Sequence, residues 1–393
     1  MPDGYVCAIN RGRDDYQVPL ALYEAGLLKC FVTDYYAPEP APAWLPGALR
    51  HRRTPGLPAT VTRNAPLSFA LQSAAQSLRL PMRRIFPVTD RLLADSAGRV
   101  ARRANAHLYC YAPHLPPERS IAPGTRRVVF EYHPLPPLSL ELLDGDHARN
   151  PQTRSSYEPE RAALSQSRRN DAWKRADAVV CASAMTRRSL EHDGCPPERI
   201  TVIPYGIAAL PPPIVMPRSG RAEFLFVGQG VQRKGLHHLI EAWQASDMSD
   251  ARLTLVCYNI DPGIQEMISD PSIRLLGRQD RASLERLYNQ ADVFVMPSLL
   301  EGFGLVYLEA LARGCHIIGT GNTGLPDLAL PAEAATLIDA GDLTALCAAL
   351  TTTRHAALAG QLDRTTIHGA AGKWQWTDFR HAIADHARAA LKG

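Results

Sequence analysis

Four charged residues stand at spacings that suit a ligand carrying both phosphates and hydroxyls. Glu301 opens the run Glu301-Gly302-Phe303-Gly304, and Glu309 follows eight positions after it. Val295-Met296-Pro297-Ser298 before the run reads as the end of a strand, and Leu305 onward reads as a helix. Backbone N–H groups from Gly302 to Leu305 then lack helical partners and face outward at the positive end of the dipole, an arrangement that suits a diphosphate. Gly302 and Gly304 allow close approach of the backbone. Glu301 offers a carboxylate to sugar hydroxyls, and Glu309, about two helical turns on, reaches another part of the ligand. Upstream, Phe226-Val227-Gly228 runs into a loop that ends in Arg233-Lys234-Gly235. Two adjacent cations can neutralise a departing diphosphate. Gly228-x-Gly230 lacks the third glycine and the acidic residue of a dinucleotide fingerprint.

These residues meet only if strand ends and helix starts lie side by side, which an alternating α/β chain provides. The second half alternates strands at Glu223–Gly228, Arg252–Tyr258, Ile273–Leu276, Val293–Pro297 and His316–Gly319 with helices at Leu236–Ala245, Ser283–Gln290 and Leu305–Arg313. The first half has strand-length apolar runs at Tyr5–Asn10, Phe31–Thr33, Ala104–Tyr111, Val128–Tyr132, Ala178–Ala182 and Ile200–Pro204. Helical patterns fall at Tyr16–Ala25, Arg161–Ala176 and Met185–His192. A chain of 393 residues exceeds one core, so two doubly wound, Rossmann-like domains facing across a cleft are expected. Residues 1–207 form the first, a proline-rich linker spans 208–220, the second covers 221–373, and a closing helix takes 374–393.

The net charge of +4 conceals an asymmetry. Residues 1–205 hold 27 Lys and Arg against 20 Asp and Glu, and residues 50–103 hold eleven arginines against Asp90 and Asp95. Such an excess points to an anionic partner, with an anionic membrane surface or a phosphorylated glycolipid as the candidates; Arg83-Arg84 and Arg99, Arg102 and Arg103 are its clusters. The stretch lacks interleaved aromatics and any nucleic-acid-binding module, so no nucleic acid is expected. Eight scattered cysteines form no C-x-x-C pair and suggest neither zinc nor a disulfide framework. No apolar run is long enough to span a bilayer. A reduced, cytoplasmic protein is expected, with peripheral contact to the inner membrane face if the basic segment docks there.

The segment Met296 to Gly314 resembles the signature of the retaining GT-B glycosyltransferases of family 4, with Pro-Ser, Glu-Gly-Phe-Gly and a second glutamate eight positions on. The resemblance implies that Glu301 binds donor-sugar hydroxyls, Glu309 the ribose, and the amides of Phe303 to Leu305 a phosphate. Arg233 and Lys234 match the family's phosphate-neutralising cations, although Gln229 stands where many members carry the arginine. Leu276-Gly277-Arg278 resembles the base-binding turn, and His133, in Phe130-Glu131-Tyr132-His133-Pro134, matches a histidine beside the donor sugar. Gly12, in Arg11-Gly12-Arg13, falls where many members have two glycines. Pro204-Tyr205-Gly206-Ile207 resembles the hinge, and the tail around Trp376 resembles the helix that returns to the first domain.

The resemblance implies hexose transfer from a nucleoside-diphosphate sugar to a glycan or glycolipid hydroxyl, with no cofactor and no metal. Asp144-Gly145-Asp146 has the spacing of metal-binding acids in the other glycosyltransferase fold, but its polar, proline-flanked surroundings suggest a loop turn. Competing readings are a sugar-nucleotide epimerase or phosphorylase of the same architecture, and a non-catalytic nucleotide-sugar binder.

Overall fold

A computed structural model describes residues 3–165, 172–209, 211–214 and 220–392. The expected helical stretch Arg161–Ala176 and the expected linker 208–220 therefore fall partly outside the described residues, as does the side chain of Arg83. Among the described residues, two parallel sheets are present. The first comprises β1 (Tyr5–Ala8), β2 (Leu28–Thr33), β3 (Thr62–Asn64), β4 (His107–Tyr111), β5 (Arg127–Glu131), β6 (Ala178–Cys181) and β7 (Ile200–Val202), in the order β3-β2-β1-β4-β5-β6-β7. The second comprises β8 (Ala222–Gly230), β9 (Ala251–Ile260), β10 (Ile273–Leu276), β11 (Val293–Met296), β12 (His316–Thr320) and β13 (Ala335–Ile338), in the order β10-β9-β8-β11-β12-β13. Each sheet reverses its winding next to its first strand, between β1 and β4 and between β8 and β11. Open α/β sheets bind ligands outside the carboxyl ends of strands at such points. Arg233-Lys234 follows β8, Glu301 follows β11, and Gly12 follows β1. The central strands β1 and β11 are buried at every residue, which is why they read as unbroken apolar runs.

Helices cover both sheets. The first domain carries α1 (Gln17–Glu24), α2 (Gly47–Arg50), α3 (Pro66–Ser77), α4 (Met82–Ala104), α5 (Pro136–His147), α6 (Arg154–Ser165) and α7 (Ala184–His192). The second carries α8 (Leu236–Ala245), α9 (Pro262–Glu266), α10 (Arg281–Gln290), α11 (Leu305–Leu311), α12 (Leu343–Leu358) and α13 (Arg364–Ala371). Trp243 of α8 is fully buried, edge-on to Phe224 at 5.2 Å between ring centroids, and its Nε1 donates to Ser272 Oγ at 2.9 Å.

Several features depart from the sequence reading. Asp144-Gly145-Asp146 is not a loop turn but the last turn of α5. Prolines at the start of α5 need no N–H partner and favour helical entry, and Asp146 points into the protein with 1% exposure. Helix α6 begins at Arg154, earlier than expected, and Trp173–Arg175 is a short 3-10 turn. Helix α3 is turned against its composition. Ser68, Gln72 and Ala75 face inward, with Ser68 Oγ donating to Thr89 O at 3.1 Å, while Leu67 and Leu78 are 72% and 69% exposed.

The closing helix α14 (Trp376–Lys392) packs on the first domain. Ile207 N donates to Trp374 O, and Trp376 N to Ile207 O, each at 3.0 Å. A Cβ on Gly206 would lie 2.4 Å from Gln375 O, so only glycine admits this crossing. Phe379 packs against Phe130 and Tyr205, and Tyr5 Oη donates to Ala387 O at 2.9 Å.

Candidate active site

The loop after β8 turns through a 3-10 segment, Gln232–Lys234, into Gly235. Gly235 adopts φ +68°, and a Cβ there would lie 1.9 Å from Pro297 O. The glycine thus lets the cationic turn press against the loop leaving β11, and Leu299 N donates to Arg233 O at 2.9 Å across that seam. Local backbone packing therefore joins the two motifs.

Their side chains meet at Glu301. The Arg233 guanidinium contacts Glu301 Oε1, and Lys234 Nζ lies 2.9 Å from the same oxygen. The three side chains are 15%, 12% and 9% exposed, so the ions are shielded from bulk screening. Arg233 Nε is also 3.3 Å from Glu160 Oε1 on α6, which brings the first domain into the cluster. Burial, with the neighbouring Arg233 charge, holds the Lys234 ammonium well below its usual range. Arg233 and Lys234 thus share Glu301, and Arg233 also reaches Glu160. A diphosphate placed here would compete with Glu301 for both cations.

Gly302 forms the contact between the domains. A Cβ on it would sit 2.0 Å from Tyr132 O and 3.2 Å from the Cα of His133, so the histidine's backbone abuts the start of the glutamate motif. Ser183 Oγ and Thr186 Oγ1 donate to Gly302 O at 2.5 and 3.3 Å. Phe303 is buried, its ring T-shaped against Tyr205 at 5.4 Å, and a Cβ on Gly324 would overlap that ring at 2.2 Å. Gly304 takes φ +93° and caps the start of α11, which ends at Leu311, two residues short of the expected span. Leu305 is its first residue. Glu309 accepts a hydrogen bond from Tyr288 Oη at 3.1 Å. Burial pushes its carboxyl up against that bond, with Asp15 of the first domain adding to the rise. Gly228 lies beside the Lys234 side chain, 3.9 Å from Cε to its would-be Cβ. Arg278 is exposed in the loop after β10.

Gly12 lies in a loop with positive φ at Arg11, Gly12, Asp14, Asp15 and Tyr16. Sequence reasoning missed the residue that holds this loop. Asp14 Oδ2 accepts hydrogen bonds from both Tyr111 Oη and Tyr205 Oη at 2.6 Å. Arg13 stacks over the Tyr132 ring at 3.8 Å, and Arg11 pairs with Asp90 while stacking over Phe86. Tyr205 therefore joins the first loop, the hinge and Phe303. Glu160 was also missed, because nothing in its helical surroundings marks it. Beside Arg233 opens a cavity of about 580 Å³ lined by Glu160, Ser155 and Phe86 of the first domain and Gln229 and Asn259 of the second.

Comparison with known proteins gives two family matches. Residues 97–209 match the family described as Glycosyltransferase Family 4, and residues 221–354 match Glycosyl transferases group 1. A putative colanic acid biosynthesis glycosyltransferase WcaL of Salmonella typhimurium is 26% identical over 214 residues, 50% of each chain. A glycogen synthase of Mycobacterium tuberculosis is 30% identical over 182 residues, 44% of each. The chain thus spans about half the length of the curated relatives it matches. Among solved structures, sucrose-phosphate synthase from Thermosynechococcus elongatus aligns with TM-score 0.64 at 18% identity over 99% of both chains. Anabaena Alr3699/HepE, in complex with UDP and glucose, aligns with TM-score 0.57 at 14% identity over 98% of this chain and 99% of that one. The lipopolysaccharide outer core galactosyltransferase WaaB aligns with TM-score 0.60 at 12% identity over 96% and 99%. With two parallel doubly wound domains and two matches that together run from residue 97 to residue 354, the chain belongs to the group 1, family 4 glycosyltransferases and has their GT-B fold.

Proposed function

We propose that the protein transfers a hexose from a nucleoside-diphosphate sugar to a hydroxyl of a glycan or glycolipid, with retention of anomeric configuration and without a metal. The observation that carries this reading is the shared, nearly buried contact of Arg233 and Lys234 with Glu301. It sets two cations for a leaving diphosphate beside a carboxylate for sugar hydroxyls. In the reaction the bond between the anomeric carbon and the diphosphate oxygen breaks, and the acceptor oxygen bonds to that carbon from the same face. The acceptor proton passes to the departing phosphate. Arg233 and Lys234, with the amides of Phe303 to Leu305, stabilise the charge that develops there. His133 borders the sugar, Glu309 takes the ribose, and the backbone near Arg278 takes the base. Gly12 lets the first-domain loop approach the phosphates. The cavity beside Glu160, whose largely apolar lining carries the hydroxyls of Ser155 and Ser156 and the amides of Gln229 and Asn259, receives the acceptor.

The two relatives described are named for colanic acid biosynthesis and for glycogen synthesis, which supports a glycan acceptor. A thermal-shift screen of UDP-, GDP- and ADP-sugars, followed by proton NMR of the product linkage, tests the reading. A donor that stabilises the fold and yields an axial-to-axial product supports it. An inverted product, or stabilisation with no transfer or hydrolysis, refutes it; an epimerised sugar would favour the alternative enzyme reading.

A second proposal concerns the membrane, and the inverted helix α3 favours it. Leu67 and Leu78, with Leu80 and Val88 nearby in sequence, are exposed, and Arg79, Arg84 and Arg91 are exposed among them. Apolar side chains interleaved with arginines suit an anionic bilayer surface. No helix among the described residues is long and apolar enough to cross a membrane. Sedimentation with anionic vesicles that falls with salt, and falls again for Leu67→Ser with Leu78→Ser, is expected. Equal recovery with and without vesicles refutes the docking.

A further inference from the structure

Behind the cationic turn, a buried knot of polar groups ties the domains together. Asp146, in the last turn of α5, is 1% exposed, and its carboxylate lies among four N–H donors. His238 Nε2 is 2.7 Å from Oδ1 and His237 Nε2 is 3.1 Å from Oδ2. Gln232 Nε2 donates to Oδ2 at 2.8 Å and Asn150 Nδ2 to Oδ1 at 3.1 Å. A carboxylate only accepts, so both imidazoles must present an Nε2 hydrogen. Burial alone would raise Asp146; the hydrogen bonds from His237 and His238 outweigh it and hold the carboxyl well below its ordinary range. Burial keeps His237 below its usual value.

Only Asn150 among these donors belongs to the first domain. Gln232 opens the turn that carries Arg233 and Lys234, and His237 and His238 lie in the first turn of α8, which continues it. A single carboxylate of the opposite domain therefore grips the turn on both sides of the two cations. Gln232 adds a bond from Nε2 to Leu143 O at 2.9 Å, and its backbone N donates to Ser156 Oγ at 3.1 Å. Separation of the domains would strip the carboxylate of three donors and leave the turn held only by its own domain.

We infer that Asp146 is a positioning residue that sets Arg233 and Lys234 against the donor diphosphate only when the two domains are closed. The inference rests on the donor reading above. Its consequence is economical: the leaving group is stabilised in the state that also excludes water, so donor hydrolysis in the open state is suppressed.

The test compares nucleoside diphosphates with their monophosphates, using UDP and UMP, GDP and GDP's monophosphate GMP, and ADP and AMP, by calorimetry. Asp146→Asn keeps the shape of the side chain but replaces one acceptor oxygen with a donor that faces other donors. Diphosphate binding is expected to weaken by about tenfold, with the monophosphate changed less than about twofold, because only the second phosphate relies on the turn. In an Arg233→Ala background the same substitution is expected to have little further effect. Should Asp146→Asn not fold, Gln232→Met removes one grip from the other side and is read in the same way. Equal losses for both nucleotides, or additive losses in the Arg233→Ala background, overturn the inference while leaving the donor reading intact. A wild-type protein that binds no diphosphate overturns both.

Discussion

Glu301→Gln separates the two jobs assigned to that residue. The side chain keeps its shape, and its backbone stays fixed because Glu301 N donates to Asn322 O at 2.9 Å. What changes is charge. In the free protein Glu301 and Glu160 balance Arg233 and Lys234. With glutamine at 301 the cluster carries one net positive charge, and an incoming diphosphate no longer displaces or faces a carboxylate. At an effective dielectric of about 20 and a separation of about 5 Å, one removed unit repulsion is worth roughly 3 kcal/mol before relaxation and salt. Allowing for the lost ion pairs, a gain of about 1–2 kcal/mol is expected, a tightening of nucleoside diphosphate by roughly 5- to 30-fold. Transfer should move the other way, because the sugar hydroxyls lose a charged acceptor; a fall in kcat of about 10- to 100-fold is expected. Calorimetry with the free diphosphate and steady-state kinetics with the intact donor measure the two. If Glu301→Gln weakened diphosphate binding, the carboxylate would not be a competitor for the cations, and the charge-balance reasoning would fail.

Gly302→Ala tests the contact between the domains, because its Cβ would meet Tyr132 O at 2.0 Å and the neighbour is backbone. Overpacking of this kind costs about 1–3 kcal/mol, relieved here by opening the cleft; a larger radius of gyration in small-angle scattering with a fall in kcat of at least about tenfold is expected, and an unchanged radius with full activity would contradict the contact. Asp327 supplies a pH prediction. Burial pushes its carboxyl up to about 6, against the bond it accepts from Ala184 N at 3.0 Å. A raised carboxyl contributes stability that is fully present below its unfolded value near 4 and is lost as pH rises through about 6. With partial exposure discounting the effect, about 1–2 kcal/mol should be lost across that window. Asp327→Asn should flatten the window in a Tm-versus-pH series, and an unchanged slope would show that other groups set it.

Much of the architecture was legible because buried parallel strands need continuous apolar runs and their helices need amphipathic ones. Tyr5 to Ala8 and Val293 to Met296 carry that signal in a few residues each, and they are buried throughout. Glu301, Arg233 and Lys234 were legible for another reason: they stand beside Gly302 and Gly235 in segments that resemble the family's signature. The misreading of Asp144-Gly145-Asp146 shows where this local information ends. Its polarity suggested a turn at the surface, yet Asp146 is satisfied by Gln232, His237 and His238, some 86 or more positions away in the chain. The inverted face of α3 and the pairing of Glu160 with Arg233 were hidden for the same cause. By itself the sequence marked the central strands of both sheets, several of their helices and the charged groups next to the strand ends. Only the tertiary structure decided which charges meet across the cleft, because the burial and pairing of a polar side chain depend on the surface opposite it, and that surface comes from a distant part of the chain.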